Sequence, residues 1–245
     1  MSTCRLLLDA GNTRLKWAVV EAGRWQAQGS GLYGDLSGLA LLLQNEMRCH
    51  FASVARTSHT DALVALLAQH EIVPQWLETT SRFAGVENTY ANPQQLGVDR
   101  WMALLAARQR TESAVLIVSV GTAMTVDALS AEGRFIGGLI VPGMRLMQHA
   151  LQHGTAQVDG AEGGQVLAFP NSTADAVQSG IISALSGAIQ AQYAHLAQAA
   201  KMQPRCFLTG GDAERVMPYL DIPFELVPNL VLEGMERVTR ESETT

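Results

Sequence analysis

Asp9, Gly11, Asn12, Thr13 and Lys16 are the first residues in the chain whose types and spacing suit chemistry. The apolar run Leu6-Leu7-Leu8 delivers the carboxylate of Asp9, Gly11 follows two residues later, and Asn12 and Thr13 add polar groups before a second apolar run resumes at Trp17. Lacking a Cβ, Gly11 lets backbone amides come close to a polyphosphate, and Asp9 can hold a magnesium ion directly or through water. A turn of this kind in an ordinary hairpin reads much the same. The stretch alone leaves both readings open.

The chain then says the same thing twice. Ile117-Val118-Ser119-Val120-Gly121-Thr122-Ala123-Met124-Thr125-Val126-Asp127 repeats the arrangement at an offset of 110 residues, with Ser119 in the place of Asp9 and Gly121 in the place of Gly11. Gly23-Arg24 recurs as Gly133-Arg134 at the same offset, each pair between apolar runs that read as second and third strands. A repeated strand, glycine turn, strand, turn, strand unit is the mark of a duplicated nucleotide-binding fold. The arrangement resembles the actin, sugar kinase and Hsp70 superfamily. That resemblance implies an α/β protein of duplicated actin-like (ribonuclease H-like) domains, each a mixed sheet flanked by helices, with the active site in the cleft between them. The expected boundaries are 1–112 and 113–245.

The elements that must position these residues follow from periodicity. In the first half, leucines at 36, 39, 42 and 43 give a helix over 35–47, Phe51 to Val54 a buried strand, Thr60 to His70 a helix and Ile72 to Leu77 a strand. The polar segment from Val86 to Trp101, broken by Pro93 and Gly97, opens into a helix through Trp101, Leu104, Leu105 and Arg108. Asp99 falls in its first turn, where a carboxylate is favoured by the macrodipole; from spacing alone, a helix-starting charge and a functional group are both consistent. In the second half, the Gly137-Gly138 pair inside a strand calls for a ligand or an opposing backbone at close range. The glycine-rich, acidic segment 154–169 reads as a loop. A long helix follows Pro170, with Ser172 or Thr173 as N-cap and Asp175 in its first turn. Val177, Ile181, Leu185, Ile189 and Leu196 form one stripe of that helix, and Gly180, Ser183, Gly187, Ala191 and Ala194 form an opposite small-residue face, so both sides read as buried and a dimer is expected. Thr209-Gly210-Gly211-Asp212 ends a strand before a helix start: its amides could meet a nucleotide, or the glycines could serve a tight turn. The last residues, 239–245, are expected to fray.

Composition narrows the classes. With 47% hydrophobic residues, 16% charged residues and a net charge of −6, the sequence has an ordinary globular balance and lacks the basic surface that phosphate backbones require. Cys4, Cys49 and Cys206 are too few and too far apart for a disulfide framework or a metal site. The uncharged stretch 176–200 contains too many glutamines and serines to span a membrane unaided. No signal peptide is legible ahead of the first strand, and a cytoplasmic protein with no nucleic-acid or membrane partner is expected.

Four motifs together resemble one family. Asp9-Ala10-Gly11-Asn12-Thr13, Gly97-Val98-Asp99-Arg100, Gly121-Thr122-Ala123-Met124-Thr125-Val126-Asp127 and Gly137-Gly138-Leu139-Ile140-Val141-Pro142-Gly143 are similar in order and spacing to those of type III pantothenate kinases. The resemblance implies transfer of the ATP γ-phosphoryl group to the primary hydroxyl of pantothenate, giving 4'-phosphopantothenate, the first step of coenzyme A synthesis. It makes Asp99 the catalytic base, with Arg100 holding the pantothenate carboxylate or the transferring phosphoryl. It gives Asp9 the magnesium ion, and assigns Asn12, Thr13, Lys16, Gly121, Thr122 and Thr125, with Gly210 and Gly211, to ATP. Tyr90, Gly97 and Val98 resemble pantothenate-contacting positions, Thr173 one that closes the partner subunit's pocket in a homodimer, and Asp127 one associated with a monovalent cation, usually potassium. Ser119 departs from the pattern, since many relatives carry aspartate there. Two other classes compete: a non-catalytic ATP-binding regulatory protein, which could dispense with Asp99, and a sugar or acetate kinase or a phosphatase of the same superfamily, against which the small size and the Gly97-Val98-Asp99-Arg100 motif argue.

Overall fold

The computed structural model describes residues 4–154 and 163–242. Of the loop expected over 154–169, residues 155–162 lie outside the described residues, Gly154 ends a helix and 163–169 are irregular; of the fraying expected over 239–245, residues 243–245 lie outside them, while 239–242 are helical. The chain divides into two compact units, one of residues up to Arg110 together with the segment from Asn229 onward, the other Thr111–Pro228.

In the first unit, β1 (Arg5–Ala10), β2 (Arg14–Glu21), β3 (Arg24–Leu32), β4 (Arg48–Ser53) and β5 (Pro74–Trp76) form a sheet in the order β3-β2-β1-β4-β5. β1 runs antiparallel to β2 and parallel to β4. Its residues Leu6, Leu7 and Leu8 have no exposed surface, as a central strand covered on both faces requires. β3 is an edge strand that alternates between exposed and half-buried positions. The helix expected over 35–47 contracts to a single turn, α1 (Ser37–Ala40), without a side-chain cap. Gly38 and Asn45 are poor helix formers; Leu39 and Leu43 are buried from an irregular segment while Leu41 is exposed. α2 (Thr57–Ala68) lies between β4 and β5, and the strand expected over 72–77 is three residues long. A short hairpin, β6 (Arg82–Phe83) and β7 (Val86–Glu87), precedes α3 (Val98–Arg110), which is buried from Arg100 to Ala107.

In the second unit, β8 (Val115–Val120), β9 (Ala123–Leu129), β10 (Phe135–Pro142), β11 (Arg205–Thr209) and β12 (Glu225–Leu226) repeat that order as β10-β9-β8-β11-β12. α4 (Met144–Gly154), α5 (Thr173–Ala200) and the one-turn α6 (Ala213–Val216) complete it. Ile181, Leu185, Ile189 and Leu196 of α5 join Leu116, Val118, Val126 and Leu208 of the sheet in one core. Gly180, Ser183, Gly187, Ala191 and Ala194 are exposed in the single chain, so among the described residues no helix of the same chain covers this face.

The repeat holds in detail with one correction. Ala10 pairs with Leu15 across four residues, whereas Val120 pairs with Met124 across three, so the offset drops from 110 to 109 along β2 and β9. It returns to 110 at the next turn, because Glu21 pairs with Arg24 directly after Ala22-Gly23 while Ser130 bonds Arg134 across one residue more. Both third strands then carry a bulge at the same place, at Gln26 and at Ile136. Gly137 serves that bulge with a φ of +142°, and a Cβ there would meet nothing within 4 Å, so no opposing backbone of the chain stands against this glycine.

The C-terminal segment corrects the expected boundary. α7 (Leu230–Ser242) packs on α3 of the first unit, not on the second. Gly234 makes this possible, since a Cβ there would overlap the Met102 carbonyl. The buried Arg5 guanidinium bonds Glu236 at 3.4 Å and Thr239 at 3.1 Å, and Arg110 grips Glu233 with two bonds of 2.7 and 2.8 Å. Such pairs between distant parts of the chain carry no periodic signal in the sequence.

Candidate active site

The first unit gathers most of the candidate residues. Asp9 stands near the carboxyl end of β1, paired across the ladder with Lys16. The Gly11 N–H donates to the Arg14 carbonyl at 3.1 Å and closes the turn that carries the exposed Asn12 and half-buried Thr13. Tyr33, which drew no attention in the sequence, donates its hydroxyl to the Gly11 carbonyl at 2.6 Å and stacks on His59 with ring centroids 4.1 Å apart. Burial, and secondarily the charge of Asp9, push the Tyr33 hydroxyl up to about 12.

Asp9 itself is lifted from 3.8 to about 7, first by burial, then by the negative charge of Asp99, with Lys16 opposing. Lys16 is lowered by burial against the pull of Asp9, and Arg14 lowers it further. Asp99 is raised by burial, opposed by a hydrogen bond from the Arg100 amide at 2.8 Å, by the Arg100 charge and by its own amide. Two carboxylates therefore share a site with too little positive charge of its own, and a hard cation is what such oxygen donors accept.

The start of α3 positions the second carboxylate. Gly97 precedes the helix, and a Cβ on it would lie 2.6 Å from Asp99 Oδ1 and 3.7 Å from Val54 Cγ1. Arg100 is 6% exposed, and its Nη1 donates to the Tyr90 hydroxyl at 3.2 Å. Half-buried Val98 begins the helix. Asp9, Lys16, Tyr90, Gly97, Val98, Asp99 and Arg100 thus fall within one folded unit, as do Gly11, Asn12 and Thr13.

The second unit holds the rest. Its turn is closed by the Gly121 N–H on the Ala123 carbonyl at 3.0 Å, and leaves Thr122 exposed and Thr125 half-buried. Two glycines brace it: Gly143 donates to the Thr122 carbonyl at 2.9 Å, and a Cβ there would overlap Gly121 and Thr122. Gly210, at a φ of +99°, lies against the Val120 backbone, whose carbonyl accepts from the Asp212 amide at 3.0 Å. Gly211 faces open space, so the two readings of this glycine pair divide between them: Gly210 shapes the turn and Gly211 is free to be approached. Asp127 is 1% exposed, opposite Ile117 and Gly138. Thr173 opens α5 beside its N-cap Ser172, which accepts from the Asp175 amide at 3.2 Å. It lines an apolar groove of about 950 Å³ with Pro142, Met147, Leu151 and Val177. Among the described residues no group of three or more His, Cys, Asp or Glu side chains could hold a metal by itself, and no helix is long and apolar enough to cross a membrane.

Duplicated mixed sheets flanked by helices, with paired glycine turns and a carboxylate at the end of the first strand, define an actin-like α/β fold. Solved structures share it: a Campylobacter jejuni protein described as a Baf family transcriptional activator (TM-score 0.61, 19% identity, 98% of this chain and all of that one), and the activator of the 2-hydroxyisocaproyl-CoA dehydratase from Clostridium difficile with bound ADPNP (TM-score 0.53, 13% identity, 100% and 97%). The family model for type III pantothenate kinase matches residues 5–195, and a type III pantothenate kinase of Thiobacillus denitrificans is 53% identical over 240 residues, 98% of either chain. The chain belongs to the type III pantothenate kinase family. It is an ATP-dependent kinase that phosphorylates pantothenate, with a divalent metal accompanying ATP, and nothing favours the non-catalytic alternative.

Proposed function

We propose that Asp99 is the general base of this reaction, accepting the proton of the primary pantothenate hydroxyl as the γ-phosphoryl group departs from ATP. The observation that carries the reading is the pair of carboxylates Asp9 and Asp99, close enough for one charge to raise the other and both raised by burial. Phosphoryl transfer needs alignment and charge neutralisation more than covalent chemistry, and a base drawn upward toward neutrality accepts a proton more readily than an ordinary aspartate. Arg100, held by Tyr90, presents a fixed guanidinium to the substrate carboxylate or the phosphoryl oxygens. Tyr90, Gly97 and Val98 line the pantothenate side.

Asp9 holds magnesium. The ion, when bound, neutralises the phosphate oxygens and draws Asp9 back into its ionised form. Asn12, Thr13 and Lys16 serve the phosphates with the amide of Gly11, while Gly121, Thr122, Thr125, Gly210 and Gly211 serve the nucleotide from their own unit. Ser119, paired with Thr125 where Asp9 pairs with Lys16, supplies no charge, so the metal falls to Asp9. Asp127 is the residue for a monovalent cation, potassium, since an interior carboxylate gains from a cation. Thr173 and the exposed small-residue face of α5 support a homodimer in which the partner completes the pantothenate pocket, in the cytoplasm.

The test is a phosphoryl-transfer assay on purified protein with ATP, magnesium and pantothenate, run in potassium and again in sodium buffer. Product formed in potassium alone is expected. Equal rates in both buffers would remove the cation from the mechanism, and a monomer by sedimentation at working concentration would remove the shared pocket.

A further inference from the structure

We propose that Asn88 is a positioning residue for the pantothenate side of the site, acting through Tyr90; this rests on the assignment of Tyr90 to that side made above. Asn88 is 6% exposed, directly after β7 and at the start of the irregular stretch that leads to α3. Its amide N–H donates to the Ser81 carbonyl at 2.9 Å, and its side-chain Nδ2 donates to the Pro93 carbonyl at 3.0 Å and the Thr80 carbonyl at 3.4 Å. Its Oδ1 accepts from the Tyr90 amide at 3.1 Å. One side chain thus ties the segment entering the β6-β7 hairpin, the segment leaving it and the backbone of Tyr90 into one frame.

That frame fixes where the Tyr90 ring stands. Thr79 secures the far end by donating to the Leu96 carbonyl at 2.8 Å, one residue before Gly97. Between these anchors the Tyr90 hydroxyl reaches Arg100 Nη1, and the guanidinium carbon sits 5.9 Å from the ring centroid. Asparagine is the side chain that can do this, since it offers two donors and an acceptor on one short stem. Aspartate, of the same shape, keeps the acceptor but turns an oxygen against two carbonyls, leaving polar groups unpaired in a buried place. Serine keeps the short link to an amide two residues on and loses the reach to Thr80 and Pro93. Asn88 touches neither reacting atom; its effect on pantothenate passes through Tyr90.

The experiment is steady-state kinetics of Asn88→Asp, Asn88→Ser, Asn88→Ala, Tyr90→Ala and the Asn88→Ala/Tyr90→Ala double variant, with KM measured separately for pantothenate and ATP. Asn88→Asp and Asn88→Ala should raise the pantothenate KM about tenfold, roughly the effect of a lost buried hydrogen bond, and leave the ATP KM within about twofold. Asn88→Ser should recover part of the loss, and the double variant should be no worse than Tyr90→Ala alone. Equal increases in both KM values, or additive effects in the double variant, would make Asn88 a purely structural residue and overturn the inference. Tyr90→Ala impaired with all Asn88 variants normal would overturn the inference alone. Tyr90→Ala with an unchanged pantothenate KM would overturn the Tyr90 assignment and the inference with it. Should Asn88→Asp fail to fold, Asn88→Ser decides the question by the same KM comparison.

Discussion

Replacing Asp9 by asparagine should make the ligand-free protein more stable while ending its use of a divalent cation. Burial and the neighbouring Asp99 lift Asp9 from 3.8 to about 7. In the unfolded chain the same group loses its proton near its ordinary value, so between pH 4 and 7 the unfolded state binds fewer protons and stability falls as pH rises, levelling off above about 7. The displacement corresponds to an upper bound of ~4 kcal/mol at pH 8. Asparagine fills the same space without a charge to bury, so Asp9→Asn should recover a large part of this at pH 8 and little at pH 4.5. For a chain of this size, that is a rise of about 10 °C in unfolding temperature. Thermal unfolding of both proteins from pH 4.5 to 8 measures it, and magnesium with ATP should narrow the gap by stabilising only the wild type. An Asp9→Asn protein that unfolds no later than the wild type at pH 8, or that keeps the wild-type slope with pH, would refute the reasoning.

Asp99→Asn should lower kcat by about 10²–10⁴-fold while nucleotide binding, followed by calorimetry, stays intact; a loss under tenfold would take the base from Asp99. Gly97→Ala sets a methyl 2.6 Å from Asp99 Oδ1, so the carboxylate must turn; kcat should fall at least about tenfold with a stability change of ~1 kcal/mol or less, and normal turnover would show that Asp99 tolerates the move. Gly143→Ala pushes into the backbone of Gly121 and Thr122, so the ATP KM should rise more than the pantothenate KM, and the reverse order would argue against a nucleotide role for that turn.

The repeat made the sheets legible in the sequence because glycines and apolar runs are local signals. The strands β1 to β3 and β8 to β10 fall where their patterns place them, while β4 begins three residues ahead of the strand expected over 51–54. The leucines of 36–43 show the limit of periodicity: spacing records which residues are buried, not whether the backbone between them is helical, and the helix that their spacing suggests ends after the single turn Ser37–Ala40. The attachment of the C-terminal helix to α3 depends on Gly234 and on the Arg5-Glu236 and Arg110-Glu233 pairs, each a partnership across more than 100 residues. At the site, the motif residues were legible and their supports were not. Tyr33, Thr79 and Asn88 act by bonding backbone groups, and a tyrosine, a threonine or an asparagine in a loop looks the same whether or not it does so.

The step from 110 to 109 along β2 and β9 sets the rule for exchanging parts between the halves. Grafting β9 onto the first sheet at an offset of 109 brings Met124, Val126 and Ala128 to the places of Leu15, Trp17 and Val19, apolar for apolar. At 110, the offset the glycines suggest, the same places would receive Thr125, Asp127 and Leu129, and the carboxylate would enter a hydrophobic core. A chimera, or a reconstruction of the single ancestral unit, has to cut within the two turns, because the missing residue and its compensation lie there and the strand between them stays in frame.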